Sequence, residues 1–260
     1  MTQTGSWPRM IWRVALCLLL CSAPASAMVG PTRPGAEITR AVVMITGSRG
    51  TFCTGTLIAR DLVLTAAHCV QPGADYKLIE FDPQRQPTLR DTARIERHPQ
   101  FSMQTFLASR ATADVALIKL SAPAAGGAIA PLFAGPLRVA PGDRFTVAGY
   151  GLAVRGDGRS GGTSRAADLV ATGRPGNLQI RLVDPAGNGE RPGAGACTGD
   201  SGAPAFVSEG GRLAVIGVVS WSTGPNLSDG CGGMTGLTPL SLYRGWIVET
   251  ARRLGSPVGP

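Results

Sequence analysis

Apart from one N-terminal run, the apolar residues of this chain come in short bursts separated by glycine and proline. Thirty-six glycines and twenty prolines in 260 residues indicate many turns and leave little room for long helices. Bursts such as 41–45, 56–58 and 62–64 have the length of buried strands. The pattern predicts an all-β fold. One helix is expected over 241–253, where apolar residues recur at helical spacing.

The first 27 residues have the pattern of a secretory signal peptide. Arg9 and Arg13 precede the apolar run Val14–Leu20, and Ala25-Ser26-Ala27 matches a small-x-small cleavage site. The run is too short to span a bilayer as a helix. A lipoprotein anchored at Cys21 is the alternative, but a large residue precedes that cysteine where a small one is expected. We therefore expect an exported protein, secreted or periplasmic, with no membrane contact in its mature form.

The basic charge balance does not indicate a nucleic-acid-binding protein. The formal net charge is +8, and removing the two arginines of the signal segment leaves +6. The arginines are scattered, which is typical of a solvated basic surface. Lys77 and Lys119 are the only lysines. This bias towards arginine, with abundant alanine, glycine and proline, favours a GC-rich bacterial genome as the source.

Four cysteines remain after the signal segment: Cys53, Cys69, Cys197 and Cys231. An even number in an exported chain suggests disulfides, and four cysteines allow three pairings. The pairing favoured by proximity along the chain is Cys53–Cys69 with Cys197–Cys231. A metal site is the alternative, but the chain has no CxxC pair and only two histidines. No metal and no cofactor are expected.

The stretch from Cys197 to Gly202 reads Cys-Thr-Gly-Asp-Ser-Gly and presents Ser201 between two glycines. Glycine tolerates backbone angles that other residues avoid and lets a substrate approach the main chain. Backbone N–H groups beside the serine are suited to stabilise a developing oxyanion. A tight glycine-rich turn with an incidental serine is the competing interpretation, so the stretch needs a base and an acid elsewhere.

His68 and Asp114 are the candidates for that base and acid. His68 directly follows a strand-like run, and Asp114 begins another. A buried acid needs a partner, and His68 is the candidate. His98 precedes a proline, which restricts it to extended geometry, and is interpreted as structural. The resulting order of His, Asp and Ser differs from that of the α/β-hydrolases and the subtilisins.

These motifs resemble those of the chymotrypsin/trypsin-like serine peptidases. The matching stretches are Leu64–Cys69, Asp114–Ile118 and Gly199–Gly202, in the family's order. Supporting matches are Cys53, His98-Pro99, Gly149-Tyr150-Gly151, Val219-Ser220-Trp221 and Trp246-Ile247. The resemblance implies an all-β fold of two six-stranded antiparallel β-barrels packed face to face, with a C-terminal α-helix.

The resulting domain prediction has four parts. Residues 1–27 form the signal peptide, 28–135 the N-terminal barrel and linker, 136–240 the C-terminal barrel, and 241–260 the C-terminal helix and tail. Within the first barrel, the polar stretch 71–92 is expected to form loops around Tyr76–Phe81, and it carries no calcium-loop signature.

The resemblance also implies roles for individual residues. Ser201 would be the nucleophile of a serine endopeptidase that works through an acyl-enzyme, His68 its base and Asp114 the group that orients His68. The backbone N–H groups of Gly199 and Ser201 would form the oxyanion hole. The bridges Cys53–Cys69 and Cys197–Cys231 would fix the base and the pocket wall.

The expected specificity pocket carries no charge. Gly195, six residues before Ser201, occupies the position at the pocket bottom where trypsin-like members carry Asp. Ala196 adds no charge, Ser222 narrows one wall, and Gly236 is expected at the opposite wall. Ser220, Trp221 and Ser222 would pair with the substrate backbone as an added strand. The prediction is a preference for small to medium apolar residues.

A second expectation concerns activation. In the family, a newly freed apolar N-terminus folds inward and its amine pairs with the acid that precedes the nucleophile, here Asp200. Signal cleavage after Ala27 would expose Met28-Val29-Gly30, which resembles that N-terminus. We therefore expect no separate propeptide. The competing interpretation is cleavage elsewhere, which would leave an ordinary frayed terminus.

The expected partners are protein or peptide substrates, with a proteinaceous inhibitor as a further candidate, and a monomer is expected. Two alternative functions use the same scaffold. One is a catalytically silent binding protein, which usually lacks a triad member, and here all three types are present. The other is an esterase, which the order of the motifs disfavours.

Overall fold

The computed structural model describes residues 1–2, 34–81, 86–173 and 178–259. Its strands form two closed antiparallel barrels of six strands each, followed by a C-terminal helix, which confirms the predicted fold class. Most of the predicted signal segment, together with Met28, lies outside the described residues. No helix in the described ranges has both the length and the apolar character needed to cross a bilayer.

The first barrel closes in the order β1-β2-β3-β6-β5-β4. A short helix leads into it, and a second short helix precedes its last strand. The elements are α1 (Ala36–Ala41), β1 (Val42–Gly47), β2 (Phe52–Ala59), β3 (Leu62–Thr65), β4 (Tyr76–Phe81), β5 (Pro87–Arg97), α2 (Met103–Leu107) and β6 (Ala116–Leu120).

The second barrel repeats this arrangement in the order β10-β11-β12-β9-β8-β7. Its elements are β7 (Arg144–Gly149), β8 (Arg165–Ala171), β9 (Ile180–Val183), β10 (Pro204–Glu209), β11 (Arg212–Ser222) and β12 (Met234–Pro239), followed by α3 (Arg244–Arg253).

The apolar bursts fill the barrel interiors and the seam between the barrels. Ile45, Leu57 and Leu78 belong to the core of the first barrel. A separate cluster joins residues of both barrels to α3, including Leu117, Phe206 and Ile247. Burying one such side chain contributes about 1.5–3 kcal/mol, so this cluster holds the two barrels together.

The stretch 71–92 corrects one prediction in part. Tyr76–Phe81, around which loops were expected, form β4, but residues 87–92, which were expected in a loop, begin β5. Its polar side chains pair across the two strands. Lys77 contacts Asp91 at 2.6 Å, and Arg90 contacts Glu80 at 2.7 Å. These polar side chains lie on the outer face of the strands, and their composition resembles that of a loop. The C-terminal helix was expected from residue 241 but begins at Arg244, because a 3-10 turn, Leu240–Leu242, precedes it.

Candidate active site

Strand pairing brings His68 and Asp114 together. β3 pairs with β6 so that Thr65 lies opposite Ala116. His68 follows β3 in a 3-10 turn, Ala67–Cys69, and Asp114 lies two residues before β6. Nδ1 of His68 lies 2.8 Å from Oδ2 of Asp114, and the backbone N–H of His68 donates to Oδ1 at 2.9 Å.

The carboxylate of Asp114 is buried, with 1% of its side chain exposed, and receives three hydrogen bonds. Besides the two from His68, the hydroxyl of Ser220 donates to Oδ2 at 2.6 Å. A buried charge is tolerated when it is paired and hydrogen-bonded. This arrangement assigns the proton to Nδ1 of His68 and leaves Nε2 as the acceptor, the tautomer that a general base needs.

The ring of Phe106 stacks on His68, with the ring centroids 4.5 Å apart and an interplanar angle of 15°. Phe106 belongs to α2, whose first turn is capped by the hydroxyl of Ser102, which accepts from the N–H of Thr105 at 3.2 Å. α2 was not predictable from the sequence, because the helix has only five residues and no helical repeat. The stacked ring restrains the imidazole on one face.

Ser201 is presented by a turn that only glycine permits on both sides. Gly199 has φ of 93° and Gly202 has φ of 78°. A side chain on Gly202 would overlap the hydroxyl of Thr65 and the carbonyl of Thr54. The nucleophile turn of the second barrel therefore packs directly against the first barrel, and this contact requires glycine.

Ser201 and His68 line the same cleft, whose volume is about 470 Å³. No hydrogen bond joins the two side chains in the described part of the chain. Catalytic hydrogen bonds are often long or poorly aligned until a substrate binds. Their common position in the cleft therefore places Ser201 and His68 in one candidate site.

Thr54 joins the two barrels beside the nucleophile, and sequence reasoning missed it. Its hydroxyl donates to the carbonyl of Gly199 at 2.8 Å and accepts from the N–H of Tyr150 at 3.1 Å. Its backbone N–H donates to the carbonyl of Ser201 at 2.8 Å. Thr54 is completely buried. A threonine in an apolar strand carries no sequence signal for this role.

These bonds orient the peptide groups of the nucleophile turn. The carbonyls of Gly199 and Ser201 point to Thr54, whereas their own N–H groups donate to no atom of the described residues. Two unused neighbouring donors beside a serine have the chemistry of an oxyanion-binding site.

Asp200 is the second buried acid of the site, and its surroundings differ from those of Asp114. Its carboxylate accepts from the backbone N–H groups of Gly151 at 2.8 Å and Cys197 at 2.9 Å. Burial raises the pKa of Asp200 to about 7, against the opposing effect of these bonds and of the Arg165 charge. A side chain on Gly149 or Gly151 would overlap the Asp200 carboxylate. Its expected partner, Met28, lies outside the described residues.

Both expected disulfides are formed. Cys53–Cys69 joins β2 to the turn that carries His68, and Cys197–Cys231 joins the nucleophile stretch to the loop before β12. Cys53, Cys69 and His68 also lie close enough together to resemble a metal site. The two cysteines are spent in the disulfide and offer no thiolate, so this group is not suited to bind a metal.

The pocket residues separate into two sets. Ser220, Trp221 and Ser222 line the cleft, whereas Gly195 and Ala196 are buried beneath it. The register of β11 and β12 places Thr235, not Gly236, opposite Ser222. The hydroxyl of Thr235 accepts from the N–H of Ala196 at 2.9 Å.

Gly236 lies opposite Trp221, where a side chain would overlap the indole ring. An irregularity between Val219 and Trp221 shifts the pairing, and a shift of one residue moves every side chain to the other face. The neighbouring Thr235, which sequence reasoning did not single out, is therefore the residue of β12 that lies opposite Ser222.

His98 contacts the C-terminal region rather than the cleft. Its ring meets those of Tyr243 and Trp246 edge-on, with centroids 4.9 Å apart in each case. Burial lowers its pKa. These contacts agree with its interpretation as a structural residue.

Comparisons with known proteins cover most of the chain. The sequence model of the family described as Trypsin matches residues 30–247. Mouse serine protease 56 is 31% identical over 222 residues, which are 76% of this chain and 34% of that protein. Human kallikrein-14 is 28% identical over 228 residues, which are 80% of this chain and 78% of that protein.

A solved structure of human heparin binding protein has a TM-score of 0.66 and 26% identity, and the match covers 89% of this chain and 100% of that one. The chain spans less than half the length of the serine protease 56 relatives, 34% of the mouse and 43% of the human protein. The relatives named here are mammalian, so they lend no support to the bacterial source, which stays a prediction.

Proposed function

The chain belongs to the trypsin family of serine proteases, and we propose that it is an endopeptidase that cleaves protein or peptide substrates through an acyl-enzyme. The observation that carries this proposal is the buried Asp114 carboxylate. It binds Nδ1 of His68 at the edge of the cleft that also holds Ser201. The cleft thus contains an oriented base and a hydroxyl nucleophile.

In the proposed reaction, Oγ of Ser201 attacks the substrate carbonyl carbon and its proton passes to Nε2 of His68. The carbonyl oxygen becomes an oxyanion that the N–H groups of Gly199 and Ser201 stabilise. His68 then gives the proton to the departing amine, and the acyl group stays on Ser201. Water then attacks the acyl-enzyme in the same way and releases the carboxylic acid product. In both steps Asp114 stabilises the charged imidazole.

A fluorophosphonate probe tests this function, because it labels only an activated serine. We expect Ser201 to be labelled and Ser201→Ala to lose both labelling and peptide hydrolysis, by at least about 10⁴-fold. Ser241→Ala is the matched control, since Ser241 is exposed and outside the cleft. A properly folded protein without labelling or turnover would instead favour the catalytically silent binding protein.

We further propose that the specificity pocket is uncharged and accepts small to medium apolar residues. Gly195 offers no carboxylate at the pocket bottom, and the Thr235 hydroxyl lies close to the space that a side chain there would occupy. A chromogenic peptide panel is the test. We expect Ala and Val to be preferred before the scissile bond and Thr235→Gly to extend the preference to larger residues. A clear preference for Arg or Lys would contradict the proposal.

The proposed activation is by export. Removal of residues 1–27 would free the Met28 amine to neutralise Asp200, whose buried carboxylate has only backbone donors in contact among the described residues. We expect the chain that begins at Met28 to be active and a chain with two additional N-terminal residues to lose most of its kcat. Equal activity of the two chains would argue against this partner for Asp200. We also propose a secreted or periplasmic location, a monomeric state and a proteinaceous inhibitor as a candidate partner.

A further inference from the structure

The cleft contains one permanent cation, Arg155. This residue lies in the loop between β7 and β8, is exposed, and lines the cleft together with Ser201 and Thr198. Among the described residues that line the cleft, His68 and Arg155 are the only titratable ones, and no carboxylate is among them. The cleft is therefore electrostatically suited to an anionic group.

The loop holds Arg155 in place by bonds of its own. The hydroxyl of Ser160 accepts from the N–H groups of Ala153 at 3.1 Å and Val154 at 3.0 Å. The N–H of Leu152 donates to the carbonyl of Thr198, in the nucleophile stretch, at 2.8 Å. The base of the loop is thus tied to the catalytic region, which fixes the point from which the Arg155 side chain extends.

The guanidinium of Arg155 is anchored but its charge is not paired. Nη1 donates to the backbone carbonyl of Asp229 at 2.5 Å. In the described part of the chain, Arg155 forms no ion pair with a carboxylate. A guanidinium has five N–H donors in a planar fork suited to a carboxylate, so one bond to a carbonyl leaves donors for a ligand.

The anchor also gives Arg155 a position along the cleft. Asp229 belongs to the loop that returns to the end of β11, where Gly224 donates its N–H to the carbonyl of Ser228 at 2.7 Å. Gly224 lies two residues beyond Ser222, the end of the segment proposed to pair with the substrate. In the proposed strand pairing, substrate residues N-terminal to the scissile bond run along Ser220–Ser222 towards Gly224, and the guanidinium would then lie beside the residues further from that bond.

We propose that Arg155 is a specificity-determining residue that binds an acidic side chain of the substrate, N-terminal to the scissile bond and outside the primary pocket. The proposal rests on the proposed peptidase function. The preferred substrate class is then a peptide with a small apolar residue in the primary pocket and Asp or Glu two or more residues before it.

Peptide pairs that differ only in Glu or Gln, two or three residues before the pocket residue, test the proposal. We expect kcat/KM to be about two- to fivefold higher for Glu, the range of a solvent-accessible ion pair. The ratio should shrink in about 0.5 M salt, because salt screens such a pair. Arg155→Gln should bring the ratio to one while retaining a donor for the Asp229 carbonyl, and Arg155→Lys should retain part of it.

Arg159→Gln is the matched control. It removes the same charge from the same loop, but Arg159 lies outside the cleft lining and pairs with Asp157 at 3.6 Å. Its Glu/Gln ratio should equal that of the unmodified protein. A ratio of one in the unmodified protein, a ratio that survives Arg155→Gln, or an acid preference only after the scissile bond would overturn the proposal.

The Gln peptides separate this failure from failure of the peptidase function. Turnover of the Gln peptides without an acid preference contradicts the role of Arg155 alone. Absence of turnover of every peptide, together with absence of fluorophosphonate labelling, contradicts the proposed function on which it rests.

Discussion

The candidate site contains two buried aspartates, Asp114 and Asp200, and the protein compensates their charges differently. Asp114 receives two hydrogen bonds from His68 and one from the Ser220 hydroxyl. Asp200 receives two, both from backbone N–H groups. Arg165 acts on Asp200 only as a nearby charge, and burial still raises the pKa of Asp200 to about 7.

The difference divides the site into two halves. Side-chain partners compensate the charge of Asp114, whereas the charge of Asp200 has no such partner among the described residues. Asp114 has its titratable partner in contact, so the base is oriented before substrate arrives. Asp200 has no cation in contact among the described residues. A buried carboxylate without a counter-charge is costly, so its site is suited to receive one. The predictions below test this contrast, from the largest expected effect to the smallest.

The largest effect is expected for Asp114, the aspartate whose partners are in contact. Asp114→Asn keeps the shape of the side chain but removes the charge that stabilises the His68 imidazolium and fixes its tautomer. We expect kcat/KM for a peptide substrate to fall by about 10⁴-fold. Asp75→Asn is the control, because Asp75 is exposed and lies outside the described lining of the cleft. A loss below about tenfold would mean that Asp114 does not orient the base.

For Asp200, the predicted effect is a change in the free energy of unfolding with pH. In a chain that begins before Met28, Asp200 binds its proton more tightly when folded than when unfolded, where its pKa is near 3.8. Its favourable contribution is therefore complete below about pH 4 and is lost as pH rises through about 7. A shift of about three units corresponds to about 4 kcal/mol. Urea unfolding between pH 4 and 8 measures it.

Two comparisons isolate this effect from other titrating groups. Asp200→Asn should lack this component of the pH dependence, because the amide does not titrate. The chain that begins at Met28 should show a smaller loss at high pH, since the amine lowers the pKa of Asp200. If all three proteins lose the same stability with rising pH, Asp200 is not the group responsible.

Much of the triad half was predictable from the sequence, because its signals are local. His68 follows a strand and is tied by its neighbour Cys69, Asp114 begins a strand, and Ser201 lies between glycines. Pairing of β3 with β6 converts these local features into one site. The disulfides were also predictable, since each pairs neighbouring cysteines along the chain.

Features that depend on register or on contacts between the barrels were not predictable. Thr235 and Gly236 differ by one residue, and only the irregularity in β11 decides which of them lies opposite Ser222. The bonds of Thr54 to Gly199 and Ser201 join residues about 145 positions apart. No periodicity reports such a contact. The beginning of β5 was hidden because the polar side chains that pair with β4 gave it a loop-like composition.

Thr54 connects the first barrel to the Asp200 half, so its hydroxyl is the next group to test. Thr54→Val keeps the shape but removes the donor to Gly199 and the acceptor for the Tyr150 N–H. We expect a loss of about 2 kcal/mol in the free energy of unfolding, because buried polar groups lose their partner. We also expect a lower kcat, because Gly199 carries a proposed oxyanion donor.

Thr56→Val separates the two effects. Thr56 lies two residues along the same strand, is equally buried, and donates to the carbonyl of Ala41 in the first barrel. Its replacement should lower stability and leave kcat unchanged. If both variants lower kcat equally, the link between Thr54 and the nucleophile turn has no specific catalytic role.

The smallest effect is expected at Phe106, which covers one face of His68 on the Asp114 half. Phe106→Ala removes a stacked aromatic contact, and such contacts are worth about 0.5–1.5 kcal/mol beyond their buried area. Because the ring restrains an imidazole that Asp114 already orients, kcat/KM should fall only about two- to tenfold. Leu107→Ala, which changes an exposed neighbour on α2, should have no effect. A loss at Phe106 as large as that at Asp114 would show that hydrogen bonding to Asp114 does not suffice to hold the base.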